Sequence, residues 1–364
     1  MKRFTQRIKG VLPKNRTAKT AVLSVLALVA IIGTWAVLSL SIKADTAITA
    51  SFQAEAGTKT GVTTVSDASA AGGSAVQFGN TTTPPSTCPS WPTIPAGGPK
   101  PSWGCWPTPE TVGVPKNITL TPYTGTMVIQ TPGTVIDSKV LTGELRILAD
   151  NVVIKNSLIN GNIRNDLQYF PGSFTVMDTT INMGPDPIRG LQEGNFIARR
   201  ILIKGGASAG LCVKNCTIED SYVVGGFEDP TGVHHMSGFR METDGIFRRN
   251  VIGCDAPDIP PDAGCSASLT GYGDFQTVKN NLLEDNLFLP GGGYCTYGGS
   301  SGQGGGKPYP NAHDIRFINN WFVRGESGKC GYWGPITSFD SAAPGNVWQN
   351  NRYWADGALV PPAN

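Results

Sequence analysis

Charge is scarce in this chain: Asp, Glu, Lys and Arg make up only 15% of its 364 residues. With 46 Gly and 27 Pro beside them, such a composition suits a turn-rich all-β protein better than a helical one. No CxxC pair occurs among the eight cysteines, which argues against a zinc site. Acidic residues are missing from the first twenty positions, where seven of the 29 basic residues lie. The remainder therefore carries 22 basic against 27 acidic residues, a net of −5. A mildly acidic body lacks the clustered positive field that phosphate neutralisation needs, so nucleic acid is not the expected partner.

The chain does possess one long apolar run, AVLSVLALVAIIGTWAVLSLSI, residues 21–42. As a helix it would cover about 33 Å, enough to cross a bilayer core. The basic segment 1–20 before it should stay cytoplasmic, placing residues after 43 outside. The expectation is an uncleaved signal-anchor, giving a single-pass membrane protein with an extracellular C-terminal domain. A cleaved signal peptide, with candidate sites after Ala44 or Ala50 and a secreted product, is the rival; the run is long for that. All eight cysteines follow residue 87, on the oxidising side, so disulfides are their natural use.

Residues 43–110 read as a linker. Within it, FQAEAGTKTGVTTVSDASAAGGSAVQFG (52–79) resembles the opening strands of β-sandwich carbohydrate-binding modules. A sandwich needs about 100 residues and no remainder follows, so a spacer is favoured. Residues 81–110 hold nine prolines, Trp91, Trp103, Trp106 and the expected pair Cys88/Cys105. That is a semi-rigid collar, whose tryptophans are expected to cover the end of the next core rather than stack on sugars.

From residue 111 onward the chain repeats itself. Taking Asn156, Asp178, Arg200, Asp220, Asn250, Asn286, Asn320 and Asn351 as equivalent, the spacings are 22, 22, 20, 30, 36, 34 and 31 residues. Two positions on stand Leu158, Thr180, Leu202, Tyr222, Ile252, Phe288, Phe322 and Tyr353, and glycine follows in most units. A unit of about 22 residues accommodates three short strands but no helix, and alternation such as V-I-K-N-S-L puts every second side chain inward. One unit cannot bury that face alone, whereas stacked units enclose a core, with asparagines about 4.8 Å apart able to form a ladder. A leucine-rich repeat lacks its leucine grid here, and propeller blades need about 40 residues. The runs NVVIKNSLINGNI, GIFRRNVIGC and DIRFINNWFVRG resemble the pectate-lyase-like superfamily of right-handed parallel β-helices. The resemblance covers about 112–357 and implies that residues 111–364 form a β-helix, expected as a monomer, whose outer face engages polysaccharide.

Three further cysteine questions arise. Cys295 and Cys330 fall nine and ten residues after Asn286 and Asn320, so they nearly stack; Cys254 and Cys265 would close a short loop. Cys212 and Cys216 in a straight strand would sit about 13 Å apart, and their pairing stays open unless a turn intervenes.

The richest chemistry lies in GGFEDPTGVHHMSGFRMETDGIFRRN, residues 225–250. His234 or His235 could act as base, Asp244 as acid or cation ligand and Arg240 as charge neutraliser. Arg240, Glu242 and Asp244 should alternate along one strand and project from one face; Glu228 and Asp229 lie nearby. A second stretch, PGGGYCTYGGSSGQGGGKPYPNAHD (290–314), offers Tyr294, Tyr297, Tyr309 and His313 for sugar contact. Its GQGGGK is no phosphate loop, because Ser301 and Pro308 stand where Gly and Ser/Thr are required. Ca²⁺ is conceivable at Asp255, Asp258 and Asp262, although intervening prolines and the missing Glu make that loop unlike known calcium loops. The Asp-Asp and Gly-His-Gly elements of polygalacturonases, the Arg-rich signature of pectate lyases and the epimerase signature are all missing, so the resemblance transfers no catalytic residue. The expectation is a polysaccharide-binding protein, cleaving as a lyase or hydrolase if it is an enzyme; the alternative is a non-catalytic adhesin or cell-envelope module.

Overall fold

The computed structural model describes residues 62–66, 74–78, 88, 101–169, 171–299 and 307–362. Residues 1–42, Trp91 and the membrane and export expectations built on them lie outside the described residues. Among those described, no helix is long and apolar enough to cross a membrane. Contacts divide the chain at Thr82/Thr83. In the first unit, strands Val62–Ser66 and Ser74–Phe78 pair antiparallel with Val62 opposite Phe78; both fall inside the module-like segment.

The second unit is all-β, with 23 strands in one continuous parallel sheet. Each strand pairs not with its sequence neighbour but with the strand one coil on. The partners run Asp137, Lys155, Met177, Arg199, Glu219, Arg248, Glu284, Ile318 and Gln349. From Lys155 the intervals are 22, 22, 20, 29, 36, 34 and 31 residues. Coils of unequal length therefore share one register, as the repeat required.

That register corrects the row of equivalent positions. Asn156, Asp178, Arg200 and Asp220 align with Arg249, Asp285, Asn319 and Asn350, one residue earlier than Asn250, Asn286, Asn320 and Asn351. All eight of the aligned residues have φ between 48° and 57°, the left-handed conformation that turns the chain at a corner. A one-residue slip in a strand exchanges faces. Leu158, Thr180, Leu202 and Tyr222 accordingly lie one position before the interior row, which is Ile159, Ile181, Ile203, Val223, Ile252, Phe288, Phe322 and Tyr353.

The asparagine ladder belongs to the second half alone. Asn250, Asn286, Asn320 and Asn351 are buried. Each of the last three accepts at Oδ1 from both the backbone N–H and the Nδ2 of the asparagine one coil earlier, at 3.0–3.1 Å. Each Nδ2 also donates to a carbonyl of the strand that enters the corner, such as Asn286 to Phe247 at 2.8 Å. In the shorter coils Ser157, Thr179 and Ser221 hold the same place, each hydroxyl donating to the carbonyl two residues back. A buried polar row is tolerable because every member is satisfied.

Outside the same corner the charges alternate. Arg199 meets Glu219 at 3.0 Å, Glu219 meets Arg248 at 3.1 Å, and Arg248 meets Glu284 at 2.8 Å. Opposite charges directly across strands support the parallel register. Inside, small and large residues trade places along the axis: a Cβ on Gly210 would meet the Phe239 ring at 2.2 Å, so the ring fills the space that glycine leaves.

All four disulfides form, including Cys88–Cys105, Cys254–Cys265 and Cys295–Cys330. The direct stacking neighbour of Cys295 is Pro335, not Cys330; Cys330 reaches it from the preceding loop. Cys212 and Cys216 also bond, with Cα atoms 5.9 Å apart. Asn215 between them is left-handed, φ 57°, so the strand bends and the straight-strand distance does not apply.

The described part of the collar, from residue 101 onward, packs along the side of the coils rather than over their end. Trp106 packs against Leu202, Tyr222, Val251, Leu287 and Trp354, with Trp103 beside it. These are outward residues of one lateral face, which the segment before Gly113 covers; the Gly113 N–H donates to the Arg200 carbonyl at 2.9 Å.

The ladder makes a quantitative expectation. Asn286→Ala removes four hydrogen bonds and should lower stability by roughly 2–4 kcal/mol. Asn319→Ala, at the half-buried left-handed corner position, should cost less, roughly 1–2 kcal/mol. Denaturant midpoints at unchanged m-value measure both.

Candidate functional site

From Asp220 onward the coils lengthen, and every insertion enters or leaves the same face. Its strands are the first part of His235–Arg248, then Gly264–Thr270, Tyr294–Tyr297 and Gly334–Thr337. Residues 226–234, 255–263 and 323–333 precede these strands, while 271–278 follows Gly264–Thr270. A sheet face flanked by long loops on both sides is a groove, and loops on a rigid scaffold are where binding groups concentrate.

Arg240 stands on the floor of that groove. Its guanidinium makes a close ion pair with Asp274, which Lys307 also holds at 2.8 Å. Glu242 Oε1 lies 3.9 Å from the same Arg240 nitrogen. Phe275 is flanked by two guanidinium groups, Arg240 at 5.6 Å and Arg189 at 5.7 Å from its centroid. Lys307 sits 4.5 Å from the ring of Tyr272, which packs edge-on against Tyr297.

Glu242 is the anomaly. It is 0% exposed, and neither carboxyl oxygen has a hydrogen bond of good geometry; the backbone N–H groups of Asp274 and Gln276 approach it and pull its pKa down only weakly. Burial pushes its pKa up to about 8; Arg240 pulls the other way and Asp274 adds to the rise. Glu242 is therefore a neutral acid at pH 7. For Asp274, burial opposes ionisation, yet the bonds from Lys307 and Arg240 outweigh it and hold the carboxyl below its usual range. Burial and the neighbouring Arg240 lower the Arg189 guanidinium. Burial, with Tyr272 and Tyr294 nearby, raises Tyr297. Two carboxyls in opposite protonation states beside one guanidinium are the elements of acid–base chemistry.

Of the residues expected from the sequence, Arg240, Glu242 and Tyr297 come together here. Asp244 does not. Its φ of 57° makes it a corner residue, and its carboxylate accepts from Asn280 Nδ2 at 2.9 Å; the alternation assumed for a straight strand ends one residue before it. His235 begins the same strand, five residues from Arg240 and so about 16 Å away along it. Its Nε2 pairs with Asp262 at 2.8 Å in the open. His234 is locked by Asp229, which also accepts from Thr231, Val233 and the His234 backbone. The Thr231 hydroxyl bond leads in holding Asp229 far below the usual carboxylate range: Asp229 organises the turn. Tyr294 lies three residues before Tyr297 on the same strand, and Tyr309 is tied back by its N–H to the Gly273 carbonyl. His313 starts a strand on the adjoining face and pairs with Asp314. Asp255, Asp258 and Asp262 do not form a metal cluster; among the described residues no three or more His, Cys, Asp or Glu are so arranged, so they do not fit Ca²⁺.

Arg189, Tyr272, Asp274, Phe275 and Lys307 were not singled out by the sequence reading. Their signal was the lengthening of coils at one end of one strand set, which carries information only once the register is known.

Comparison with protein-family models, curated proteins and solved structures returned no match. Functional inference therefore rests on the residues themselves.

The raised Glu242 pKa predicts a stability slope. Between the unfolded value near 4.5 and the folded value of about 8, the unfolded chain has released this proton and the folded chain has kept it. Stability from this group is thus full below 4.5, falls by about 1.4 kcal/mol per pH unit as pH rises, and levels off above about 8. Glu242→Gln should remove that slope, read from denaturant melts of both proteins at pH 5, 6.5 and 8.

Proposed function

We propose that the chain is an extracytoplasmic right-handed parallel β-helix of pectate-lyase-like type, tethered through residues 21–42, that binds a polysaccharide in the groove over Arg240 and cleaves it. The carrying observation is Glu242: a fully buried carboxyl with no well-formed hydrogen bond, 3.9 Å from the Arg240 guanidinium, destabilises a fold, and its place beside an ionised Asp274 gives that cost a chemical use. In this reading Glu242 donates its proton to the departing glycosidic oxygen while water attacks the anomeric carbon and gives its proton to the ionised Asp274; sharing one Arg240 nitrogen keeps the two carboxyls no farther apart than glycosidase pairs, about 5–9.5 Å. A sugar group that takes the place of Asp274 on Arg240 and Lys307 would uncover Glu242. Tyr272, Phe275 and Tyr297 give aromatic surface to the ring faces.

A second reading has its own support. Arg189, Arg240 and Lys307 form a cationic spot, which suits neutralising a uronate carboxylate during β-elimination. Product chemistry separates the two. The full-length chain, kept in zwitterionic detergent, is incubated with a polysaccharide panel: reducing ends without absorbance near 235 nm mean hydrolysis, and both together mean elimination. Glu242→Gln should lower turnover by about a hundredfold to ten-thousandfold, and in the hydrolytic case the parent rate should fall above about pH 8 as Glu242 loses its proton. Binding with no product from any glycan would leave the adhesin reading instead.

A further inference from the structure

Elsewhere in the second unit, two aromatic rings stand in solvent without an evident role. Tyr332 and Trp333 are 66% and 63% exposed and pack edge to face at 4.6 Å. They are not loosely held. The Tyr332 N–H donates to the Gly292 carbonyl at 2.9 Å and the Trp333 N–H to that of Gly293 at 2.7 Å. Lys329 Nζ donates to the Trp333 carbonyl at 3.0 Å, and the adjoining Cys330 is bonded to Cys295. Gly292, at φ 68°, and Gly293 leave room for this docking; a Cβ on Gly293 would lie 3.3 Å from the Trp333 ring. Rigid exposed aromatics lose little entropy on binding.

Two hollows lie near this pair, one lined by Tyr332 itself and one reaching it through Gly293, which adjoins the Trp333 ring. One, about 520 Å³, is lined by His235, Asp258, Asp262, Gly293 and Tyr297. The other, about 450 Å³, is lined by Asp255, Asp258, Glu326, Gly292 and Tyr332. Both fall in the range of small-ligand sites, about 300–1,000 Å³. Their charged groups are carboxylates and one imidazole, with no arginine or lysine in either lining. Aromatic faces beside carboxylate acceptors match the C–H faces and hydroxyl donors of a pyranose, and the acidic lining repels a uronate.

We infer that the Tyr332–Trp333 ridge and its two hollows form a binding site for an uncharged hexopyranose chain, separate from the cationic spot at Arg240. The inference rests on the preceding reading only in taking the ligand to be a glycan; of its residues Tyr297 alone is shared with the Arg240 groove, and the tested pair Tyr332 and Trp333 is not.

Isothermal titration of the full-length chain in zwitterionic detergent tests it, using neutral hexamers of β-1,4-glucose, β-1,4-mannose and β-1,3-glucose. Hexagalacturonate and a chitosan hexamer serve as anionic and cationic arms. At least one neutral hexamer should bind, Trp333→Ala and Tyr332→Ala should each weaken it about tenfold or more, and Trp333→Phe should retain most of the affinity. Unchanged melting temperatures show that the variants fold. The site is refuted if no neutral hexamer binds, if a charged hexamer is the tightest ligand, or if both alanine variants bind like the parent. Glu242-dependent cleavage without Trp333-dependent binding would sink the ridge alone. Trp333-dependent binding with no product from any glycan would sink the cleavage reading alone.

Discussion

The buried polar row at one corner, from Ser157 through Asn351, is what the rest of the architecture depends on. Apart from Ile201, which interrupts the row, each side chain accepts from the backbone N–H of the coil before it and donates to a carbonyl, in its own coil for Ser157, Thr179 and Ser221 and in the coil before for the asparagines, so a coil one residue out of register would strand several buried groups at once. Hydrophobic contact alone tolerates a two-residue slip, which keeps the same face inward and exchanges one aliphatic side chain for another. Hydrogen bonds do not. The row thereby converts a generic apolar interior into a unique stacking order, and the outer series Arg199, Glu219, Arg248 and Glu284 repeats the same register in charge.

Fixing the register at one corner frees the others. Between Asp220 and Asn350 the coils run from 29 to 36 residues, and the added length emerges as loops around a single face. Cys254–Cys265 and Cys295–Cys330 fasten these loops at their bases. The groove is thus a consequence of length variation that the ladder permits. Asp274, Lys307 and Trp333 all reach it from inserted segments, whereas Arg240 and Glu242 project from the regular strand His235–Arg248.

Within that groove two electrostatic characters lie side by side. Arg189, Arg240 and Lys307 surround Phe275 and Tyr272, while Asp255, Asp258, Asp262 and Glu326 line the hollows beside Tyr332 and Trp333. A carboxyl as deeply buried as Glu242 is unfavourable for folding on its own account, and it sits beside Arg240, on the cationic side.

Much of the architecture was legible in the residues. Unequal spacing with recurring Asn and alternating apolar positions is enough to require stacked coils, since no single unit can bury its own face. Three disulfides follow from spacing and compartment, and of the expected site residues Arg240, Glu242 and Tyr297 come together. Two errors share one cause. Placing Asn156 beside Asn250, and Asp244 on the face of Arg240, both assumed straight strands, whereas left-handed residues at the corners rotate the chain there. Periodicity reports which residue types recur, not which of two adjacent positions turns. What the sequence by itself determined is the coil: its period, its interior and its polar row, because those are properties of neighbouring residues. What only the tertiary structure decided is the site, because Arg189, Glu242, Asp274 and Lys307 come from separate coils and loops and meet only when the register stacks them.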